Sequence, residues 1–232
     1  MYHSLLEDAL EDVRFETTTY PGQEGELADR AATEGYDVVV AVGGDGTWSN
    51  VADRLISSGR QDIALGILPN GTGNDFGRNL GYDPRNPAHA VRVLAEGHTR
   101  PSDVGHLYSL SASEHHPDVE ETRYFLNLIG FGFDVAVIDA AKKARFLKGE
   151  LLYKMTALQQ ILRFPGFQFT MRSAGGQERT GEHLMLTLSN GTYFGGGFPI
   201  APGASVTDGR LHACRILDSP SFSRLKLFNM AE

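Results

Sequence analysis

The stretch Val38-Val39-Val40-Ala41-Val42-Gly43-Gly44-Asp45-Gly46-Thr47 decides how this chain is read. An unbroken apolar, mostly β-branched run enters a glycine-rich turn. Trp48, Val51, Leu55 and Ile56 then follow at helical spacing. The pattern predicts a strand, a tight loop and a helix start. No polar residue alternates along the run, so both faces of the strand are expected to be covered, as in a parallel sheet flanked by helices. Ligands of such sheets sit beyond the carboxyl ends of the strands. Gly43, Gly44 and Gly46 lack the Cβ atoms that would hold a phosphate off the backbone. The first free N–H groups of the helix point at that phosphate. Asp45 is the only charge in the turn. A carboxylate beside phosphates is unfavourable unless a cation lies between them, so the residues point to a nucleotide carrying a divalent metal. For G-G-x-G alone, a strand-to-helix connection that binds nothing is the competing reading.

A second segment repeats the arrangement. Ile63-Ala64-Leu65-Gly66-Ile67-Leu68-Pro69 reads as another buried strand, and Asn70-Gly71-Thr72-Gly73-Asn74-Asp75-Phe76 follows it. Two polar, glycine-rich turns after successive strands can lie side by side on one sheet edge. G-G-D-G-T at 43–47 with P-N-G-T-G-N-D-F-G-R at 69–78 resembles the diacylglycerol kinase catalytic domain family. That family takes in soluble bacterial and archaeal lipid kinases and, more distantly, sphingosine and ceramide kinases. G-G-D-G-T by itself is shared with NAD kinases and phosphofructokinases. The second segment is the one that points to lipid kinases, and the similarity runs along almost the whole chain.

The resemblance implies ATP and Mg2+ as cofactors and transfer of the γ-phosphoryl group to the hydroxyl of diacylglycerol or a related lipid. Its nucleotide-contacting set maps onto Gly43, Gly44, Asp45, Gly46, Thr47, Trp48, Ser49 and Asn50, with Thr72 from the second turn. A threonine from an earlier strand end also belongs to the set. Thr18 is the simplest match, with Thr17 and Thr19 one step away, and a plain β-forming role competes. Asn74 and Asp75 contact nucleotide or acceptor in this reading, or cap the short helix after them. Asp45 positions the magnesium nucleotide, and phosphoryl transfer needs mainly positioning and charge neutralisation. Asp103, in Arg100-Pro101-Ser102-Asp103-Val104-Gly105, is similar to an aspartate of an aspartate–water–metal network, against a turn-forming role. Asp208-Gly209 reads as an ordinary turn from its residues. The resemblance adds a structural magnesium held by Asp208 and the carbonyls of Ser205 and Arg210, an oxygen-only set that suits this ion.

Composition narrows the classes. The chain has 232 residues and a net charge of −8, which argues against nonspecific nucleic-acid binding. A single cysteine, Cys214, excludes an internal disulfide and is expected to be buried. No histidine spacing suggests a metal centre, and His115-His116 is expected in a surface loop over 111–122. No signal peptide or membrane span is visible, so a soluble, cytoplasmic protein with transient membrane association is expected. Lys142, Lys143, Arg145, Lys148 and Lys154 form the one basic run, interleaved with Phe146, Leu147, Leu151, Leu152 and Tyr153. It reads either as a solvated helix face or as a surface that docks on an anionic bilayer. Oligomeric state is not legible.

In order, the chain predicts a helix over 2–13, a strand over 13–19 and a helix over 24–33 stopped by Gly35. The strand at 37–42 and a helix over 49–58 come next. They are followed by the strand at 63–68, a short helix at 75–79 and a helix begun by Asn86-Pro87. This alternation predicts an open, Rossmann-like α/β domain over 1–100, the nucleotide-binding domain, like that of NAD and diacylglycerol kinases. Beyond it, strands are expected at 103–110, 123–129, 166–172, 183–189 and 211–217, with Gly175-Gly176 as a hairpin turn. Helices are expected at 133–145, 149–164 and 222–230. Residues 101–232 therefore predict a mainly antiparallel, β-sandwich-like acceptor domain with inserted helices. The resemblance puts the nucleotide between the two domains.

Two features of the family pattern have no match here. One is an opening strand with an N-P-x-S-G turn. The other is a late D-G-E segment, whose glutamate is the general base on the lipid hydroxyl. The chain is therefore expected to be a fragment or an incomplete gene product, inactive as it stands, and no other residue is assigned as base. Two further readings stand beside lipid phosphorylation: a kinase of a soluble acceptor such as NAD, and a nucleotide-binding protein without catalysis.

Overall fold

The computed structural model describes residues 2–60, 62–83, 86–113, 116–143, 150–172, 175–220 and 223–224. The chain forms two compact units. One comprises Met1–Asn127 with Asn190–Arg210, and the other Leu128–Ser189 with Leu211–Glu232. Residues 101–127 and 190–210 thus pack with the first unit.

In the first unit, α1 (Tyr2–Ala9) and α2 (Gln23–Glu34) precede β1 (Val38–Gly43). The helix α3 (Asp45–Ser57) crosses over to β2 (Ala64–Pro69), and α4 (Asp75–Asn79) and α5 (Pro87–Ala95) follow. β1 and β2 pair in parallel from Val38 opposite Ala64 to Gly43 opposite Pro69. Alternate residues serve opposite faces, as the pleat requires. Val39, Ala41, Leu65 and Ile67 pack with α2 and α3 residues, among them Ala28, Ala32, Val51 and Leu55. Val40 and Leu68 pack with Tyr2 and Leu6 of α1 and Ala90 and Val91 of α5. The apolar run is therefore covered on both sides, except at Val38 and Val42, which stay substantially exposed. Trp48 is fully buried and its indole Nε1–H donates to the Ala41 carbonyl at 3.1 Å. It pins α3 to β1, and its truncation to alanine would cost about 3–5 kcal/mol.

Local signals mark the helix ends. Gly35, at φ 83°, closes α2 by donating to Ala31. Asn86 caps α5 through His89 N–H at 3.0 Å, with Pro87 as the first helical residue.

The first unit also contains the antiparallel pair β3 (Gly105–Ser113) and β4 (His116–Phe125), and the short pair β8 (Tyr193–Phe194) and β9 (Phe198–Pro199). α3 packs on β4, where Asp53 accepts the Tyr124 N–H at 2.7 Å.

The second unit holds β5 (Leu128–Gly132), α6 (Phe133–Lys143), α7 (Glu150–Arg163), β6 (Phe167–Arg172), β7 (Glu178–Ser189) and β10 (His212–Leu217). β7 is the organising strand. Its first half pairs with β6, and its second half lies between β5 and β10, all antiparallel. Arg224 is buried and donates to the carbonyls of Ile161 and Phe164 at the end of α7, and to Asp218. Its guanidinium thereby satisfies carbonyls that the helix end leaves open.

Four expectations need correction. Residues 13–19 form no strand among the described residues. Arg14 is instead engaged with Glu16 and Glu34, and the backbone has no ladder partner. The loop expected over 111–122 is largely strand, because β3 and β4 pair with each other as far as Ser113 and His116. The single strand expected at 123–129 is two, broken at Leu126-Asn127, and its halves pair with β3 and β7. Cys214 is only half-buried; burial raises its thiol pKa. The helix expected at 222–230, His115, Arg145, Lys148, and the side chains of Lys142, Lys143 and Lys154 lie outside the described residues.

Candidate phosphate-binding site

β1 and β2 end opposite one another, so the segments after Gly43 and Pro69 leave the same sheet edge side by side. Asn70 N–H donates to the Gly43 carbonyl at 2.7 Å and extends the ladder beyond the strand ends. The two turns then touch backbone to backbone. A Cβ placed on Gly71 would stand 2.6 Å from Gly44 Cα, and one on Gly44 would stand 3.1 Å from Gly71 Cα. The 2.6 Å contact requires glycine at 71, while a Cβ at 44 would press the facing backbone by a few tenths of an ångström. Asn74 holds the second turn in shape: its Nδ2 donates to the Gly71 carbonyl at 2.7 Å and its Oδ1 accepts from Gly71 N–H at 3.0 Å. Asn74 itself adopts φ 54°, a left-handed conformation that asparagine tolerates better than most residues.

Asp45 opens α3 and does not lie in a loop before it. Gly44 is the N-cap and offers no side-chain cap. The ladder begins with Trp48 N–H donating to the Gly44 carbonyl at 3.1 Å, so the N–H groups of Asp45, Gly46 and Thr47 precede it. Open space surrounds Gly46, with nothing within 4 Å of a Cβ built there. Donors, helix dipole and clearance coincide, which is the physical requirement for an anion site.

Two carboxylates border it. Asp45 Oδ1 accepts from Phe76 N–H at 2.8 Å and so ties the start of α4 to the start of α3. Asp75 is buried, and its Oδ2 accepts from Gly196 N–H at 3.0 Å. Its Oδ1 has no hydrogen-bond partner, and Arg78 Nε, also unpartnered, stands 3.7 Å away. Both carboxylates face Gly73, where a Cβ would lie 3.2 Å from Asp45 Oδ2 and 3.3 Å from Asp75 Oδ2. Burial raises the Asp75 pKa above the usual carboxylate value, the Gly196 N–H opposes this, and the charge of Asp45 adds to the rise. Asp45 Oδ2 and Asp75 Oδ2, which both face Gly73, are oxygen donors of the kind a hard cation prefers.

The other expected residues divide. The Thr47 side chain lies against Gly43, and Thr72 is exposed in the second turn. Ser49 is half-buried on α3. Asn50 is engaged with Glu24 and Arg123. The Trp48 side chain is sealed in the core and can offer a ligand nothing but backbone. Thr18 is exposed, outside any strand, with no hydrogen bond to either turn. Asp103 Oδ2 accepts from Gly209 N–H at 2.6 Å, which ties it to the 205–210 turn. That turn is closed by its own bonds. Ser205 O accepts from Asp208 N–H at 3.2 Å, and Asp208 Oδ1 accepts from Arg210 N–H at 2.9 Å.

A third glycine-rich segment, Gly195-Gly196-Gly197, escaped the sequence reading. All three residues have positive φ, and Gly196 bonds Asp75. Asn79 Oδ1 accepts from Thr192 N–H just before it. The signal was present: Asn190-Gly191-Thr192 repeats the Asn70-Gly71-Thr72 tripeptide.

Residues 1–107 match the model of the diacylglycerol kinase catalytic domain, and residues 127–231 match that of the YegS C-terminal NAD kinase beta sandwich-like domain. The chain thus carries both domains in order, the first resembling the diacylglycerol kinase catalytic domain and the second the YegS C-terminal domain. It is 32% identical over 204 residues to a protein of Mycobacterium tuberculosis (strain CDC 1551 / Oshkosh) named "Diacylglycerol kinase", covering 88% of this chain and 62% of the relative. It is 33% identical over 215 residues to a Pseudomonas aeruginosa PAO1 protein named "Probable lipid kinase YegS-like", covering 92% of this chain and 65% of the relative. The chain thus spans under two thirds of the length of these curated relatives. A solved structure of a diacylglycerol kinase from Bacillus anthracis str. Sterne superposes with a TM-score of 0.70 at 23% identity, over 97% of this chain and 71% of that one. That likeness concerns the fold. No helix among the described residues is long and apolar enough to cross a membrane.

Proposed function

We propose that the chain belongs to an ATP-dependent lipid kinase that moves the γ-phosphoryl group to the hydroxyl of diacylglycerol or a related lipid. The observation that carries this reading is the backbone contact of Gly44 with Gly71, beside the open N-terminus of α3 and the carboxylates of Asp45 and Asp75. The N–H groups of Asp45, Gly46 and Thr47 would bind phosphate oxygens. Asp45 and Asp75 would hold magnesium, which when bound neutralises phosphate charge. The turns would fix the nucleotide while the lipid hydroxyl oxygen bonds to the γ-phosphorus, ADP leaves and the hydroxyl loses its proton. Positioning and charge neutralisation carry most of such a reaction. The names of the relatives support a lipid acceptor over NAD.

The test is transfer from labelled ATP to diacylglycerol in mixed micelles by the whole protein, with NAD as competing acceptor. Label in the lipid supports the reading. Label in NAD alone would assign a soluble-acceptor kinase. Magnesium-dependent ATP binding with no transfer would assign a nucleotide-binding protein. The second magnesium at Ser205, Asp208 and Arg210 is a separate proposal. If it is right, Asp208→Ala abolishes a magnesium-dependent rise in melting temperature without changing ATP affinity.

A further inference from the structure

Gly46, Asn50 and Asp53 stand at i, i+4 and i+7 on α3 and so share one stripe of the helix. β4 runs beside that stripe and is tied to it twice. Asp53 Oδ1 accepts the Tyr124 N–H at 2.7 Å, and one turn nearer the helix start Asn50 Oδ1 accepts from Arg123 Nη2 at 3.1 Å. The Asn50 amide is held from its other side as well. Its Nδ2 donates to Glu24 Oε1 on α2 at 2.8 Å, and Glu24 Oε2 accepts the Gly22 N–H at 3.0 Å. Only one orientation of the amide serves both neighbours, with its oxygen toward the guanidinium and its nitrogen toward the carboxylate. Arg123 is exposed, and among the described residues no carboxylate pairs with it. Exposed polar contacts of this kind contribute little to stability. The fold therefore gives no reason for side chains from three elements to be fixed at this point.

Gly46 ends the stripe on the side of the sheet edge. It precedes Asn50 by four residues, about 6 Å along the axis. A helical side chain leans toward the start of its helix and covers the turn before its own Cα. Asn50 therefore carries the bonded guanidinium toward the open space at Gly46, where the N–H groups of Asp45, Gly46 and Thr47 precede the ladder. We propose that Arg123 binds the phosphate chain of the nucleotide beside those N–H groups, and that Asn50 is the positioning residue that holds it there. The idea rests on the nucleotide reading of the α3 start. It gives Asn50 a part other than the direct contact expected from the sequence, because both ends of its amide are already engaged. The guanidinium suits the task. It is a planar fork of five donors, of which Asn50 takes one, and it stays charged at any working pH. It also brings positive charge to a site bordered by the carboxylates of Asp45 and Asp75.

The test is calorimetric titration of the full chain with ATP and magnesium, at low and at high salt. Arg123→Gln should lower ATP affinity about tenfold at low salt, as the loss of a charge-assisted contact to phosphate would. The loss should shrink at high salt, where the parent's attraction is screened. The melting temperature of the free protein should be unchanged, because the side chain is exposed. Arg123→Lys should restore part of the affinity, since an ammonium keeps the charge without the fork. Asn50→Ala should cost less than Arg123→Gln, and the double variant should bind ATP no worse than Arg123→Gln alone. Losses that add would mean that Asn50 meets the nucleotide by itself, which overturns its positioning role. ATP affinity untouched by Arg123→Gln overturns the proposal. So does a loss that is the same at every salt concentration, since Arg123 would then meet the uncharged part of the nucleotide. A parent that binds no ATP removes both the proposal and the nucleotide reading beneath it. Transfer to diacylglycerol by the whole protein separates the remaining cases. If ATP binding depends on Arg123 while transfer is absent, the kinase reading falls and the Arg123 contact stands. If transfer is intact and Arg123→Gln leaves KM for ATP where it was, only the Arg123 contact falls.

Discussion

Replacing Gly46 with alanine pulls stability and binding in opposite directions. Gly46 is the second residue of α3, its φ is not positive, and nothing lies within 4 Å of an added Cβ. Without ligand the methyl group therefore meets no obstacle. Alanine in a helix is favoured over glycine by about 0.5–1 kcal/mol, partly through the entropy of the unfolded chain. At about 2–4 °C per kcal/mol for a chain of this size, the melting temperature should rise by about 1–4 °C. If phosphate oxygens occupy that same clearance, the methyl overlaps them. Overpacking of one methyl costs about 1–3 kcal/mol, so ATP affinity should fall about 5- to 150-fold. Calorimetric titration of ATP with magnesium, beside thermal melts of the free protein, measures both numbers. A variant that melts higher and binds ATP as well as the parent would show that the glycine is only a turn residue and that the phosphates lie elsewhere.

Gly71→Ala puts a Cβ 2.6 Å from Gly44 Cα, and backbone cannot swing aside. It should therefore cost about 1–3 kcal/mol of stability and weaken ATP binding, read by the same melts and titrations. Asp45→Asn keeps an oxygen for the Phe76 N–H but loses the charge. It should melt like the parent while losing most of the magnesium dependence of ATP binding, and equal dependence in both proteins would refute the role. Asp75→Asn removes a carboxylate whose pKa burial raises. A raised folded pKa means that stability is lost as pH rises through it, so the variant should melt higher than the parent at pH 7. The gap should close as pH falls below the ordinary carboxylate value of about 3.9. A gap independent of pH, measured by thermal melts across that range, would mean that the charge is not the cause.

Much of the candidate site was legible without coordinates because its signals are local. The apolar run at 38–42, the glycines after it, the Asn86-Pro87 start and the Gly35 stop each act within a few residues, through φ preference, capping and burial. They were sufficient for β1, β2, α2, α4 and α5. What depended on pairing was not legible. Residues 13–19 have strand composition, but a strand exists only with a partner edge, and none pairs with them among the described residues. Residues 111–122 look polar enough for a loop, yet β3 and β4 supply each other's hydrogen bonds. The roles inside the site were also tertiary. Asp45 had to be seen capping α4 from 31 residues away, and Gly196 reaching Asp75 from 121 away, before either bond had meaning. Gly44 and Gly71 announce themselves as glycines in the sequence. That they are glycines because two backbones touch follows from the parallel register of β1 and β2, which a local reading of residues does not contain.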